Sequence, residues 1–295
     1  MVLVVGATGL VGAEVCRKLA ARGEKVRALV RTTSAKETTD DLRSRGVELA
    51  IGDLKDPASL AAACQGVDAV ISTASSTLSR QAGDSIESVD AAGQMSLVSA
   101  ARAANVDRFI FVSFRRPPGF SFPLGDAKRE VEEAIAAMNF TVIQASYFME
   151  VWLGPHLGFD YAAATARICG PGTAPISWVS SRDVAEICAV AVRHPAAARR
   201  TIEFGGPQAL SFLETIALFE RISDKPFSIE HIPVEALQAQ FEAATDSMQK
   251  SFAALMLGSA NGDAMEMTQV AKEFGLTLAT VEEYARGVLG KSANA

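Results

Sequence analysis

The chain has 295 residues, 49% of them hydrophobic and 21% charged, with 28 Lys and Arg against 34 Asp and Glu for a net charge of −6. That apolar content is enough to fill a globular core, the acidic balance lacks the basic face that nucleic-acid binding needs, and no apolar run reaches the roughly 20 residues of a membrane span. Cys16, Cys64, Cys169 and Cys188 form no CxxC pair, so they read as buried small hydrophobes of a reducing compartment. His156, His194 and His231 have no metal-ligand spacing, so no metal is expected.

Val2-Leu3-Val4-Val5 is a continuous apolar run, the pattern of a strand buried on both faces. No basic stretch precedes it, which argues against a secretory leader and for a cytoplasmic protein. A glycine-rich turn follows from Gly6 to Gly12, and Val11, Val15 and Leu19 then share one helix face until Gly23 ends the helix. Strands are predicted over 26–30, 47–51, 67–72, 109–112 and 140–143. Helices are predicted over 57–64, capped by Asp56 with Pro57 in first position, over 86–104 and over 126–138. Strands alternating with such helices build βαβ units, hence a doubly wound α/β fold with a parallel sheet.

That rhythm breaks at 151–175, a stretch punctuated by Gly154, Pro155, Gly158, Gly170, Pro171 and Gly172. A strand is expected at 176–179, a helix after Ser180 or Ser181, and a strand at 201–204. Helices follow over 210–221, 234–257 and 278–289, the last with Thr277 as a candidate N-cap.

Gly6-Ala7-Thr8-Gly9-Leu10-Val11-Gly12 joins a strand to a helix, the setting a G-x-x-G-x-x-G turn needs to bind a dinucleotide. One glycine makes the tight turn, one admits the pyrophosphate to the backbone, and one lets helix and strand pack closely. The helix N-terminus then faces the phosphates. A purely structural turn is the alternative. Strand 26–30 is followed by Arg31, where an NAD site more often has an acidic residue. With Thr32, Thr33, Ser34 and Lys36 beside it, Arg31 suits a 2′-phosphate, so NADP(H) is expected over NAD(H). The alternative for Arg31 is an ordinary exposed charge. On this reading 1–150 and 176–204 form an NADP-binding Rossmann domain, and 151–175 with 205–290 form a smaller, mainly helical substrate lobe.

The segment Gly6 to Gly12, Arg31, Gly52-Asp53-Leu54, the helix holding Asp90 and Gln94, Val106 to Ser113, Thr141 to Gln144, Tyr147 to Glu150 and Val179 to Ala185 together resemble the NmrA-like group of atypical short-chain dehydrogenases/reductases. The match covers most of 1–210 and weakens beyond. That group includes NAD(P)H-dependent quinone and isoflavone-type reductases, and also NAD(P)-binding regulators without catalysis. The resemblance implies that Asp53 and Leu54 lie by the adenine, and that Ser72, Thr73, Ala74 and Ser113 line the cofactor. It also places Tyr147, Phe148 and Met149 near the nicotinamide and substrate.

Hydride chemistry belongs to the cofactor, and the protein must supply a proton. The usual Y-x-x-x-K pair is incomplete: Lys128 has Leu124 four positions before it, where the tyrosine would stand. Lys128 matches the lysine that isoflavone-type reductases keep without that tyrosine, where an ammonium can bind the cofactor's ribose hydroxyls and a desolvated lysine can act as acid or base; the alternative is a surface lysine paired with Glu132. Tyr147 is a second proton-donor candidate, although packing with Phe148, Met149 and Trp152 explains it as well. Glu132 and Glu133 read as solvated. Phe114, Arg115, Phe120 and Phe122, on the loop after the fifth strand, form an apolar wall with an anionic contact from Arg115 or Arg116, and with Met149 and Trp152 they are the substrate-side candidates. The alternative is a rigid surface connection. The expected protein is an NADPH-dependent reductase of a small apolar substrate, a quinone or an aromatic enone or ether. Its competitor is a non-catalytic NADP(H)-sensing regulator that contacts a partner through its helical lobe. The partner candidates besides the small-molecule substrate are a second copy of the chain, as a homodimer, or a regulatory protein partner. No nucleic-acid or membrane partner is expected.

Overall fold

The computed structural model describes residues 1–79, 81–116 and 120–291, and divides the chain into two units. The first is Met1–Gln144 with Val184–Ile202; the second is Ala145–Asp183 with Glu203–Ala295. Residues 145–150, 176–183 and 203–204 thus group with the second unit.

The first unit runs β1 (Val2–Val5), α1 (Leu10–Ala21), β2 (Val26–Val30), α2 (Lys36–Ser44), β3 (Glu48–Ile51), α3 (Pro57–Ala63) and β4 (Ala69–Ser72). A π-helical turn (Ile86–Ala91) then leads into α4 (Ala92–Ala103), β5 (Arg108–Phe114), α5 (Pro123–Ile135) and β6 (Asn139–Ala145). The chain next enters α6 (Met149–Trp152), β7 (Phe159–Asp160) and β8 (Thr165–Cys169), then α7 (Ser181–Ala191) and β9 (Arg200–Phe204). It ends in α8 (Phe212–Ser223), β10 (Ser228–Ile232), α9 (Val234–Ala243), α10 (Ser247–Asn261), α11 (Thr268–Phe274) and α12 (Val281–Val288).

Seven strands form one sheet in the order β3-β2-β1-β4-β5-β6-β9, and β1 pairs in parallel with both β2 and β4. This is the doubly wound Rossmann order, which reverses direction between β1 and β4. All four residues of β1 are buried, as its unbroken apolar run predicts. Leu3, Val5, Val70, Phe109 and Phe111 pack with Leu60, Leu97, Val131 and Ile135 in the core of this unit. Asp56 accepts from the Ala58 amide and caps α3, with Pro57 behind it.

The second unit has its own core around Met149, Phe159, Trp178, Phe212 and Phe219, and a small sheet in the order β10-β8-β7. Segment 176–179 is not the expected strand: Ile176 and Val179 make only isolated bridges, and the run is apolar because Trp178 fills this core. The long helix expected at 234–257 is two, because Asp246 caps a new start at α10 by accepting from the Gln249 amide. The last helix is capped by Thr280, not Thr277. All four cysteines are free and buried, and burial raises the Cys16 and Cys188 thiols to about 12. Among the described residues no helix is long and apolar enough to cross a membrane, and no cluster of three His, Cys, Asp or Glu could hold a metal.

Candidate functional site

The glycine turn lies at the carboxyl end of β1, at the reversal point of the sheet, where open α/β sheets bind their ligands. Gly6 adopts φ +83°, and a Cβ there would lie 2.7 Å from the Ala74 amide nitrogen. A Cβ at Gly12 would stand 2.1 Å from the Gly6 carbonyl oxygen. Both glycines are therefore required by the protein's own packing. Gly9 is different. Its backbone is extended, and a Cβ would meet only the Gly6 oxygen, at 3.3 Å. The space before Gly9 is open, as a backbone that admits a pyrophosphate requires. The N-terminus of α1 has no side-chain cap and no acidic residue in its first turn, leaving its amides and positive dipole end available to an anion. Thr8, Leu10 and Val11 complete this turn.

The facing end of β4 is pinned. The Thr73 amide donates to the Val5 carbonyl at 2.9 Å. Gln94, fully buried on α4, donates to the Ala74 carbonyl at 2.9 Å and accepts from Ser72 Oγ at 2.8 Å. Ser72 is thus committed to holding the strand end and presents no hydroxyl to a cofactor. Leu54 is buried in the core of the unit.

Arg31, immediately after β2, is held in an ion pair. Its Nη1 donates to Asp84 Oδ2 at 2.7 Å, while Lys55 Nζ reaches Asp84 Oδ1 and the Ser79 hydroxyl donates to Oδ2. The Asp84 side chain is only 3% exposed. Burial, which opposes ionisation, is outweighed by these donors, and its carboxyl is lowered to about 2. Asp53 Oδ1 accepts from the Lys55 amide at 2.8 Å, and its Oδ2 lies 3.9 Å from Lys55 Nζ. Lys36 pairs with Asp40 on its own helix.

Lys128 is not a surface lysine. It is 6% exposed, its Nζ lies 4.8 Å from the centre of the Phe111 ring and 3.4 Å from the Val112 carbonyl oxygen, and its charge partner is Asp90 Oδ1 at 3.6 Å. Burial lowers its pKa below the ordinary lysine value, and the Asp90 charge opposes that shift. Asp90 is itself fully buried. Its Oδ2 accepts from Ser76 N at 2.9 Å and Ser76 Oγ at 2.6 Å, whereas Oδ1 accepts no hydrogen bond among the described residues. The π-helical turn that carries Asp90 is a local irregularity of a kind frequent at functional sites. Glu132 is not solvated either: it accepts from Ser113 Oγ at 2.5 Å and Gln144 Nε2 at 3.2 Å. Ser113, expected to face the cofactor, spends its hydroxyl there.

Phe114, the last residue of β5, stacks on Phe122 at 5.9 Å, and Phe120 on the following loop lies 5.4 Å from Phe122. Arg116 pairs with Asp126, which also accepts from Ser121 Oγ. Residues 117–119 of this loop lie outside the described residues. Tyr147, Phe148, Met149 and Trp152 belong to the second unit. The Tyr147 ring meets Trp152 edge-on at 4.7 Å and its hydroxyl donates to the Leu255 carbonyl at 3.3 Å. Phe148 bridges to Val179 by its backbone, and Met149 is wholly buried, so its side chain presents no surface to a substrate. Asp84, Asp90 and Gln94 gained no site role from the sequence, since each acts through a partner distant along the chain.

The chain is 29% identical to photosystem II assembly factor Ycf39 of Synechocystis sp., over 98% of this chain and 91% of the relative. It is also 29% identical to the NAD(P)H azoreductase of Xenophilus azovorans, over 87% of this chain and 85% of that enzyme. Its fold matches the crystal structure of an NADPH-dependent quinone oxidoreductase of Escherichia coli complexed with NADPH, with a TM-score of 0.78 at 20% identity, covering 98% of this chain and 99% of that one. The model of the NmrA-like family matches residues 1–285, and the chain belongs to that family.

Proposed function

We propose that the protein is an NADP(H)-dependent reductase of small, planar, apolar acceptors such as quinones or azo compounds. The observation that carries the reading is the turn at the β1–β4 reversal. Two of its glycines are required internally, while Gly9 opens toward an uncapped helix end. When bound, the cofactor supplies the hydride. Gly9 and the α1 amides would hold the pyrophosphate, with Thr73 and Ala74 lining the site, and Asp53 would face the adenosine. Lys128 is the chain's proton-handling group: a desolvated ammonium gives up its proton more readily than an ordinary lysine. Phe114 and Phe120 are the apolar contacts suited to a flat substrate. The azoreductase relative and the quinone oxidoreductase of like fold support this class of acceptor.

A second reading has its own support. Leu124 stands where the acid tyrosine of the usual short-chain dehydrogenase pair would be, and one relative is an assembly factor. On that reading the protein binds NADP(H) and signals to a protein partner without turnover. Steady-state NADPH oxidation against a panel of quinones and azo dyes separates the two. The reductase reading predicts saturable turnover that falls about 100-fold in Lys128→Ala with the cofactor Kd retained. Tight NADPH binding without turnover of any acceptor favours the sensor.

A further inference from the structure

Arg31, the cation that the sequence offers to a cofactor phosphate, is already occupied, and so is Lys55 beside it. Arg31 and Lys55 converge on one buried carboxylate, Asp84, with the Ser79 hydroxyl as a third donor. Asp53 adds a second carboxylate beside Lys55. Among the described residues two cations here face two carboxylates, a close charge balance, whereas a doubly charged 2′-phosphate is best held where positive charge is in excess. Asp84 is also held firmly in place. It follows Gly83, at φ +78°, and directly precedes Ser85, which forms a reciprocal capping box with Ser88 at the start of the π-helical turn.

We propose that Asp84 is the cofactor-selecting residue of this site: an internal carboxylate that occupies the seat of the 2′-phosphate and restrains the preference for NADPH over NADH. The inference rests on the dinucleotide reading above. A 2′-phosphate that reaches Arg31 and Lys55 must share them with the Asp84 oxygens, and it is repelled by that carboxylate as it approaches. A 2′-hydroxyl needs neither cation and can donate to a carboxylate. The Asp84 charge therefore weighs against NADPH and leaves NADH nearly untouched.

The test is calorimetric titration of NADPH and NADH into the full chain and its Asp84→Asn variant, with thermal unfolding to establish that each variant is folded. The expected result is a fall of about tenfold or more in the NADPH Kd, with the NADH Kd changing less than about threefold. That gain should vanish when Arg31→Gln and Lys55→Gln are added to Asp84→Asn, because it is made by the two released cations. Parallel changes for both cofactors, no change for either, or a gain that survives loss of both cations would overturn the inference. Should Asp84→Asn fail to fold, Asp84→Ser is read by the same ratio. If the wild-type chain binds neither cofactor, the dinucleotide reading itself is wrong and the selector role falls with it. That outcome is distinct from a wild-type chain that binds both cofactors while Asp84→Asn leaves their ratio unchanged.

Discussion

Lys128 is a cation in apolar company, and its behaviour follows from what surrounds the Nζ. Removal from water favours the neutral amine, while Asp90 at 3.6 Å favours the ammonium, with burial the larger effect. Titration of the Lys128 Cε resonance should therefore give a midpoint below that of an ordinary lysine. Asp90→Asn, by removing the counter-charge, should lower it further, and a midpoint unmoved by that substitution would break the pairing. Asp84 runs the opposite way. Its carboxyl lies at about 2 in the fold against about 3.9 in an unfolded chain, so its contribution is present above pH 4 and is lost as the pH falls through 2. Asp84→Asn should cost about 2 kcal/mol in urea unfolding at pH 7, with the difference from wild type shrinking toward pH 2; a constant difference would refute the ion cluster. These pairings mark the limit of what the sequence shows. Lys128 and Arg31 stand out by motif position, but Asp90 and Asp84 lie far from their partners along the chain, and only the fold brings them together.

The glycine turn shows how one motif divides its labour. Gly12→Ala drives a Cβ into the Gly6 carbonyl and should destabilise the protein by about 2 kcal/mol or more. Gly9→Ala asks Gly6 to give by only a few tenths of an ångström and should cost less than about 1 kcal/mol. Equal losses from the two, measured by urea unfolding, would contradict the division. Elements of the first unit were legible because buried parallel strands are unbroken apolar runs set off by glycine and capped helices, as at β1 and α3. The second unit was less so. β10 is largely exposed and has no apolar run, the break before α10 is a single capping aspartate, and the apolar stretch around Trp178 fills a core without joining the main sheet.

At the scale of the whole molecule, the net charge of −6 gives no hint of a phosphate site. On the proposed reading, recognition would fall instead to backbone amides at the start of α1 and to a small cluster in which, among the described residues, each cation is matched by a carboxylate. Family membership extends over residues 1–285, yet the chain is equally identical to an assembly factor and to an azoreductase, so activity has to be argued from the site. The central claim is that the open face at Gly9 receives the cofactor's pyrophosphate. Its most direct test is calorimetric titration of NADPH into the wild-type chain and the Gly9→Ala variant, each shown by thermal scan to melt within about 4 °C of the other. The account predicts that the wild type binds one NADPH per chain and that the variant binds it about tenfold more weakly or worse, because its new Cβ occupies the approach path. Equal affinity in two equally stable proteins would contradict it.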